Sequence, residues 1–170
     1  ILIVKNVVSI PNDYKDFQYS SNEYEVDGSK VFVWNLNWNK TDSSSGVSAT
    51  VDQNGRLISY SKYTDDQTEG LGNISREAGK AIADDFLKRA IPDLAGDLKL
   101  VDNNKNFSTD RHYFVYRLYR NDIPVGYFQI SVDVDKHTGE VLSYYGLEPG
   151  QSYKGFPSKD GLIGLEEGQK

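Results

Sequence analysis

Val31-Phe32-Val33-Trp34-Asn35-Leu36 returns later in the chain as Tyr113-Phe114-Val115-Tyr116-Arg117-Leu118. Working outward, Val47-Ser48-Ala49-Thr50-Val51-Asp52 is matched by Ile130-Ser131-Val132-Asp133-Val134-Asp135. Leu57-Ile58-Ser59-Tyr60, behind Gly55, is matched by Val141-Leu142-Ser143-Tyr144, behind Gly139. Ile10-Pro11 is matched by Ile91-Pro92. The blocks keep their order and spacing with only single-residue slips, so one supersecondary unit is used twice. A unit of roughly 80 residues buries a modest core and leans on its twin or on further neighbours.

Within each unit the period is two. Phe32, Trp34, Leu36 and Trp38 share one strand face, as do Phe114, Tyr116 and Leu118. The repeat therefore makes Phe32 and Phe114, Trp34 and Tyr116, and Leu36 and Leu118 equivalent buried positions. The next strand carries Val47, Ala49 and Val51 on one face, matched by Phe128, Ile130, Val132 and Val134. Its other face is polar in both copies, the alternation of a half-buried antiparallel sheet. Asn54-Gly55 and Thr138-Gly139 supply turns, because Gly reaches positive φ without steric cost. Asn39 to Gly46 and Asn121 to Gly126 read as the loops joining the first two strands of each unit.

Ser75 followed by Arg76-Glu77-Ala78 is a helix start, with a hydroxyl cap and an acidic first turn. Ala78, Ile82, Phe86 and Ala90, widened by Ala81 and Leu87, predict an amphipathic helix from Arg76 to Ala90. Pro92 ends it by pushing Ile91 out of the helical region. In the first copy only Val4, Val7 and Val8 precede Ile10-Pro11, so that unit begins inside the last turns of its helix. The expectation is an α+β chain of two tandem units, each a helix packed on an antiparallel meander of three or four strands. The first unit spans 1–63 with a truncated helix, a linker 64–74, the second unit 75–149, and 150–170 a tail or the start of a further unit. Leu165 to Lys170 reads as the opening of a third helix.

The net charge of -6 and pI near 4.9 argue against nucleic acid, which needs a concentrated basic surface. No apolar run approaches the length of a membrane span. The absence of Cys excludes a disulfide framework, thiolate metal site or cysteine nucleophile. It is compatible with export from a single-membrane bacterium. The absence of any Met, the initiator included, reads as a processed or engineered fragment.

No catalytic constellation accompanies the repeat, and no cofactor or metal is expected. Asp133, Asp135 and His137 superficially match the opening of an EF-hand loop. That loop needs Gly where Thr138 stands and an acidic residue where Tyr144 stands. The pattern instead reads as a solvated strand face ending in a turn, with Asp135 bonding the turn backbone. His112 and His137 have no Cys or second His nearby and read as surface residues. No Gly-x-Ser-x-Gly elbow exists. Asp65-Asp66, Asp84-Asp85 and Glu166-Glu167 are adjacent pairs that cannot converge on one bond. The outer helix positions Lys80, Asp84 and Lys88 read as solvated.

The Ile-Pro after the helix, Trp34-Asn35-Leu36-Asn37-Trp38, and Val134-Asp135-Lys136-His137-Thr138-Gly139-Glu140-Val141 resemble the YcdB/YcdC repeat family, within the wider PepSY-like group. The first copy departs from the pattern: Asp52-Gln53-Asn54-Gly55 is one residue shorter and has no Thr. The resemblance implies an α+β module found outside the cytoplasm, extracellular or at the bacterial cell surface, and brings no catalytic residues. PepSY domains are similar to segments of thermolysin-like protease propeptides, which implies a peptidase as partner. The function expected is a non-catalytic protein-binding module acting through its sheet. A structural spacer array contacting neighbouring repeat units is the alternative, and an enzyme a distant third. Tyr113, Tyr119, Tyr144 and Tyr145 are the candidate protein-binding anchors, since Tyr buries large area at small entropy cost. Equally, these rings would cover the outer sheet face or the contact between units.

Overall fold

The computed structural model describes residues 1–64, 71–101, 108 and 110–151. The expected third helix at Leu165, nearly all of the tail 150–170 and the middle of the linker 64–74 lie outside the described residues. The first half runs α1 (Leu2–Val7), β1 (Asp16–Val26), β2 (Ser29–Asn39), β3 (Ser45–Asp52) and β4 (Leu57–Thr64). The second half runs α2 (Arg76–Ala90), the single turn α3 (Pro92–Ala95), β5 (Leu98–Val101), β6 (Arg111–Arg120), β7 (Ile123–Asp135) and β8 (Val141–Tyr145).

The described strands form one sheet in the order β1-β2-β3-β4-β8-β7-β6-β5. The two meanders meet at β4 and β8, where Ser59 faces Tyr145, Tyr60 faces Tyr144, and Ser61 faces Ser143. Tyr60 and Tyr144 are repeat counterparts, as are Ser59 and Ser143. The junction therefore maps onto itself under a half-turn about the Tyr60–Tyr144 rung. β2 and β6, and β3 and β7, then occupy equivalent places.

This overturns the α+β expectation of two units, each with its own helix on its own sheet. About half of the described residues are strand and under a fifth helix. The sheet is continuous, and α1 has only six residues. The physical reason lies in what alternation reports. Period two tells which face of a strand is buried, not which edge is paired, so the sequence of β4 and β8 is silent about their union.

α2 has the predicted bounds, and its N-cap is the expected one: Ser75 Oγ accepts from the Ala78 N–H at 3.2 Å. Its buried face differs from the one read off the apolar residues. Gly79, Ala83, Phe86, Leu87 and Ala90 are buried, whereas Ala78 and Ala81 are exposed. Gly79 turns inward because it lets the helix approach β6 closely. A Cβ there would lie 2.8 Å from the His112 ring. The segment Asn121 to Gly126 is also not a loop. Asn121 and Asp122 both have left-handed φ (51° and 61°), a two-residue hairpin turn, and β7 begins at Ile123 with Pro124 facing Tyr119.

One core serves both halves. Phe86 of α2 lies 6.1 Å from the Tyr60 ring and 5.4 Å from the Tyr144 ring, so the helix of the second half closes over the junction. Arg56 pairs with Asp93 at 2.8 Å and Lys62 with Glu140 at 2.5 Å, both between halves. Arg89 Nη1 donates to the Val7 carbonyl at 2.5 Å, tying α2 to α1.

The halves should therefore unfold together. Both Trp residues, Trp34 and Trp38, lie in β2, while most helical ellipticity comes from α2. Urea transitions followed by Trp emission and by helical circular dichroism should coincide. Phe86→Ala should lower both by about 3–5 kcal/mol. Two separate transitions would mean that the junction does not couple the halves.

A pH dependence follows from the buried phenols. Burial, with the Glu140 carboxylate adding to it, raises the Tyr60 pKa well above 10.0. Burial and the hydrogen bond donated to Asp84 Oδ1 at 2.8 Å do the same for Tyr116. Both phenols ionise near pH ~10 in the unfolded chain. Their contribution is complete below that pH and is lost as pH rises above it. The urea midpoint should fall above roughly pH 10, and Tyr116→Phe should make the fall shallower.

Candidate functional site

The four tyrosines expected as anchors do not form one surface. Tyr144 is buried in the core against Phe86, which leaves its ring no surface to offer a partner. Tyr145 points to the opposite sheet face and is half exposed, between Ser59 and Ser131. Tyr113 and Tyr119 lie on β6 facing away from α2, both half-buried. The Lys99 ammonium sits 4.6 Å from the Tyr119 ring centroid.

Most of the polar groups weighed for chemistry are engaged in local structure, whereas Asp133 Oδ1 and His137 Nε2 are buried without a hydrogen-bond partner. Asp135 Oδ1 accepts from the backbone N–H of His137 at 2.7 Å and of Thr138 at 2.8 Å, the turn role expected for it. Its counterpart Asp52, itself buried, accepts from the Asn54 and Arg56 N–H groups at 2.9 Å each. Asp133 Oδ2 lies 3.4 Å from Arg111 Nη1. His112 is not at the surface: it is buried beneath Gly79, and its Nε2 donates to the Ile74 carbonyl at 2.8 Å. Asp84 is not merely solvated either, since it receives the Tyr116 hydroxyl. Among the described residues no three His, Cys, Asp or Glu side chains converge as metal ligands would.

An exposed apolar feature lies in the first half. Asp27 and Gly28, at φ 50° and 73°, fold β1 back on β2. The register sets Phe17 beside Trp38, Tyr19 beside Leu36, Ser21 beside Trp34 and Glu23 beside Phe32. Phe17 stacks on Tyr19 at 6.1 Å and tilts against Trp38 at 5.0 Å. Phe17, Tyr19, Trp34 and Leu36, with Ile1 and Ile3 beyond them, line an open groove of about 560 Å³. Trp34 and Phe32 are not the fully buried residues expected. They are 37% and 39% exposed, against 2% for Tyr116 and 1% for Phe114. The strands are equivalent, but their cover is not: the start of α2 lies over Phe114, whereas Phe32 has no helix among the described residues against it. Only Leu36 and Leu118 are buried alike. Phe17 and Tyr19 escaped the sequence reading, although their two-residue spacing is the signal that marks one strand face.

This arrangement of two meanders, with a helix between them, falls within a known family. The family model described as the YcdB, YcdC repeated domain matches residues 1–148. The chain belongs to this family. The YcdB, YcdC match spans both halves of the sheet, so the repeat seen in the sequence lies within a known repeated module. No curated protein and no solved structure matches it. Among the described residues no helix is long and apolar enough to cross a membrane.

Trp34 should contribute little to the stability of this YcdB, YcdC domain. Trp34→Ala is expected to cost at most about 1 kcal/mol, whereas Trp38→Ala, which empties a buried site, should cost about 3–5 kcal/mol. Equal losses in urea denaturation would place Trp34 in the core after all.

Proposed function

We propose that this YcdB, YcdC repeat is a non-catalytic module that binds protein outside the cytoplasm, with the β1 edge as its working surface. The observation that carries this is the edge itself. Among the described residues β1 is the terminal strand of the sheet, eleven residues long, and nearly all of it is exposed. Such an edge offers a row of main-chain donors and acceptors for an added strand. Tyr19, 72% exposed, and Tyr24 stand on it as side-chain anchors. Among the described residues the opposite edge strand, β5, covers Leu98–Val101, so β1 is the longer edge. A non-catalytic role is supported by the engagement of Asp52, Asp84, Asp135 and His112 in turns and packing.

The PepSY-like resemblance supports a peptidase as the partner, regulated or inhibited by an added strand. The alternative is a spacer repeat of a cell-surface protein, supported by the inter-half packing that makes the module one rigid sheet.

Purified extracellular metallopeptidases offer the direct test, by inhibition and by amide exchange. Binding should slow exchange in 16–26 and leave β5 unchanged. Tyr19→Ala with Tyr24→Ala should weaken binding by about tenfold or more, as loss of aromatic anchors does, at unchanged stability. Absence of both inhibition and protection would favour the spacer.

A further inference from the structure

Along β1, the residues on the same face as the open groove are Phe17, Tyr19, Ser21, Glu23 and Glu25. Side chains on one strand face recur about every 7 Å, and this row falls into three parts. Phe17 and Tyr19 form an apolar part, their rings stacked at 6.1 Å. Glu23 and Glu25 form an acidic part, both exposed. Ser21 is a notch between them: it is the small side chain of the row, and the register sets it beside Trp34. At this rung only a hydroxymethyl group separates Trp34 from the free edge. Trp34 is itself partly open, on a groove of about 560 Å³. The other face of β1 is polar from Gln18 to Asn22 and bears no such pattern.

We infer that the β1 edge selects its partner by sequence, taking an extended segment that alternates basic, basic, large aromatic, apolar and apolar residues along one face. The inference rests on the edge reading above and adds what the added strand must carry. An antiparallel strand sets its residues opposite those of β1 one for one, with directly opposed side chains in contact. Its two basic residues then face Glu25 and Glu23, and its two apolar residues face Tyr19 and Phe17. The aromatic residue faces Ser21 and leans over it toward Trp34. Neighbouring strands lie about 4.8 Å apart. That ring and Trp34 therefore stand across a gap of about 10 Å between backbones, which two large side chains close. Charge favours the same occupant. The chain carries a net charge of -6, and β1 holds Asp16, Glu23 and Glu25 with no cation of its own. Glu23 meets Lys30 at 2.7 Å, but that pair is exposed at both ends, so water screens it and Glu23 can accept a second cation.

Two peptides of one composition provide the test. Lys-Thr-Lys-Thr-Phe-Thr-Val-Thr-Val carries the whole pattern on one face. Lys-Thr-Thr-Lys-Thr-Phe-Val-Thr-Val splits it between faces in every register. The first should bind about tenfold more tightly or better, as an interface with a seated aromatic anchor does. It should protect 16–26 from amide exchange and shift Trp emission to the blue, a change that reports Trp34 because Trp38 is already buried. Ser21→Phe, at an exposed position, fills the notch and should remove most of this advantage while leaving the split peptide unaffected. Glu23→Lys with Glu25→Lys should turn the preference toward a peptide with Glu in place of both Lys. Equal affinity for the two peptides, with 16–26 protected, overturns the inference and leaves the edge reading standing. So does an advantage that survives Ser21→Phe. No protection by either peptide overturns it as well, and the metallopeptidase experiment then decides the edge reading separately.

Discussion

The rung between Tyr60 and Tyr144 places two phenol rings on the same side of the sheet where the meanders meet, and Phe86 descends from α2 onto both. Neither half has a complete core of its own. Each aromatic pair of this kind adds about 0.5–1.5 kcal/mol beyond the area it buries, and the three rings together remove a large apolar surface from water. The ion pairs Arg56–Asp93 and Lys62–Glu140 flank the junction but are partly exposed, so screening leaves them minor. The hydrophobic contact across the junction carries the architecture, and the β4–β8 ladder sets its register.

Once the halves are joined in this way, their differences become as informative as their likeness. The same strand faces the same side in both halves, yet Phe114 is sealed by α2 and Phe32 meets solvent. The edges differ as well. Among the described residues β1 is the longer edge, with Asp16, Glu23 and Glu25 along it. Charged side chains on a free edge discourage indiscriminate pairing with other sheets while leaving the main chain available. The exposed aromatic groove and the free edge belong to the same half, and the covered, well-packed surfaces to the other.

Much of this was legible in the residues, and the gaps have physical causes. Period two placed β2, β3, β6 and β7, and the Ser75 cap with Pro92 bounded α2, because those signals act locally. β1 passed unmarked because Gln18-Tyr19-Ser20-Ser21-Asn22-Glu23 is polar on both faces, as a terminal strand with little burial is free to be. The clues were the two-residue spacing of Phe17 and Tyr19 and the Asp27-Gly28 pair, a dipeptide suited to two consecutive left-handed residues. The helix face was misjudged by one position because Gly79 has no apolar side chain to count, although its value lies in having none. The exposure of Phe32 and Trp34 is a matter of what lies above the sheet, and strand alternation carries no record of that. Tyr144 looked available for the same reason: its burial depends on Phe86 arriving from α2.

The half-turn symmetry of the junction limits how such modules assemble. The two halves meet through the same edge, β4 against its own counterpart β8, so the contact is head to head. A contact of that kind is self-complementary and saturates at two, unlike a head-to-tail contact, which leaves a fresh copy of the joining surface at each step. Both joining edges are consumed here. A third half therefore cannot join through the β4–β8 edge that unites the first two.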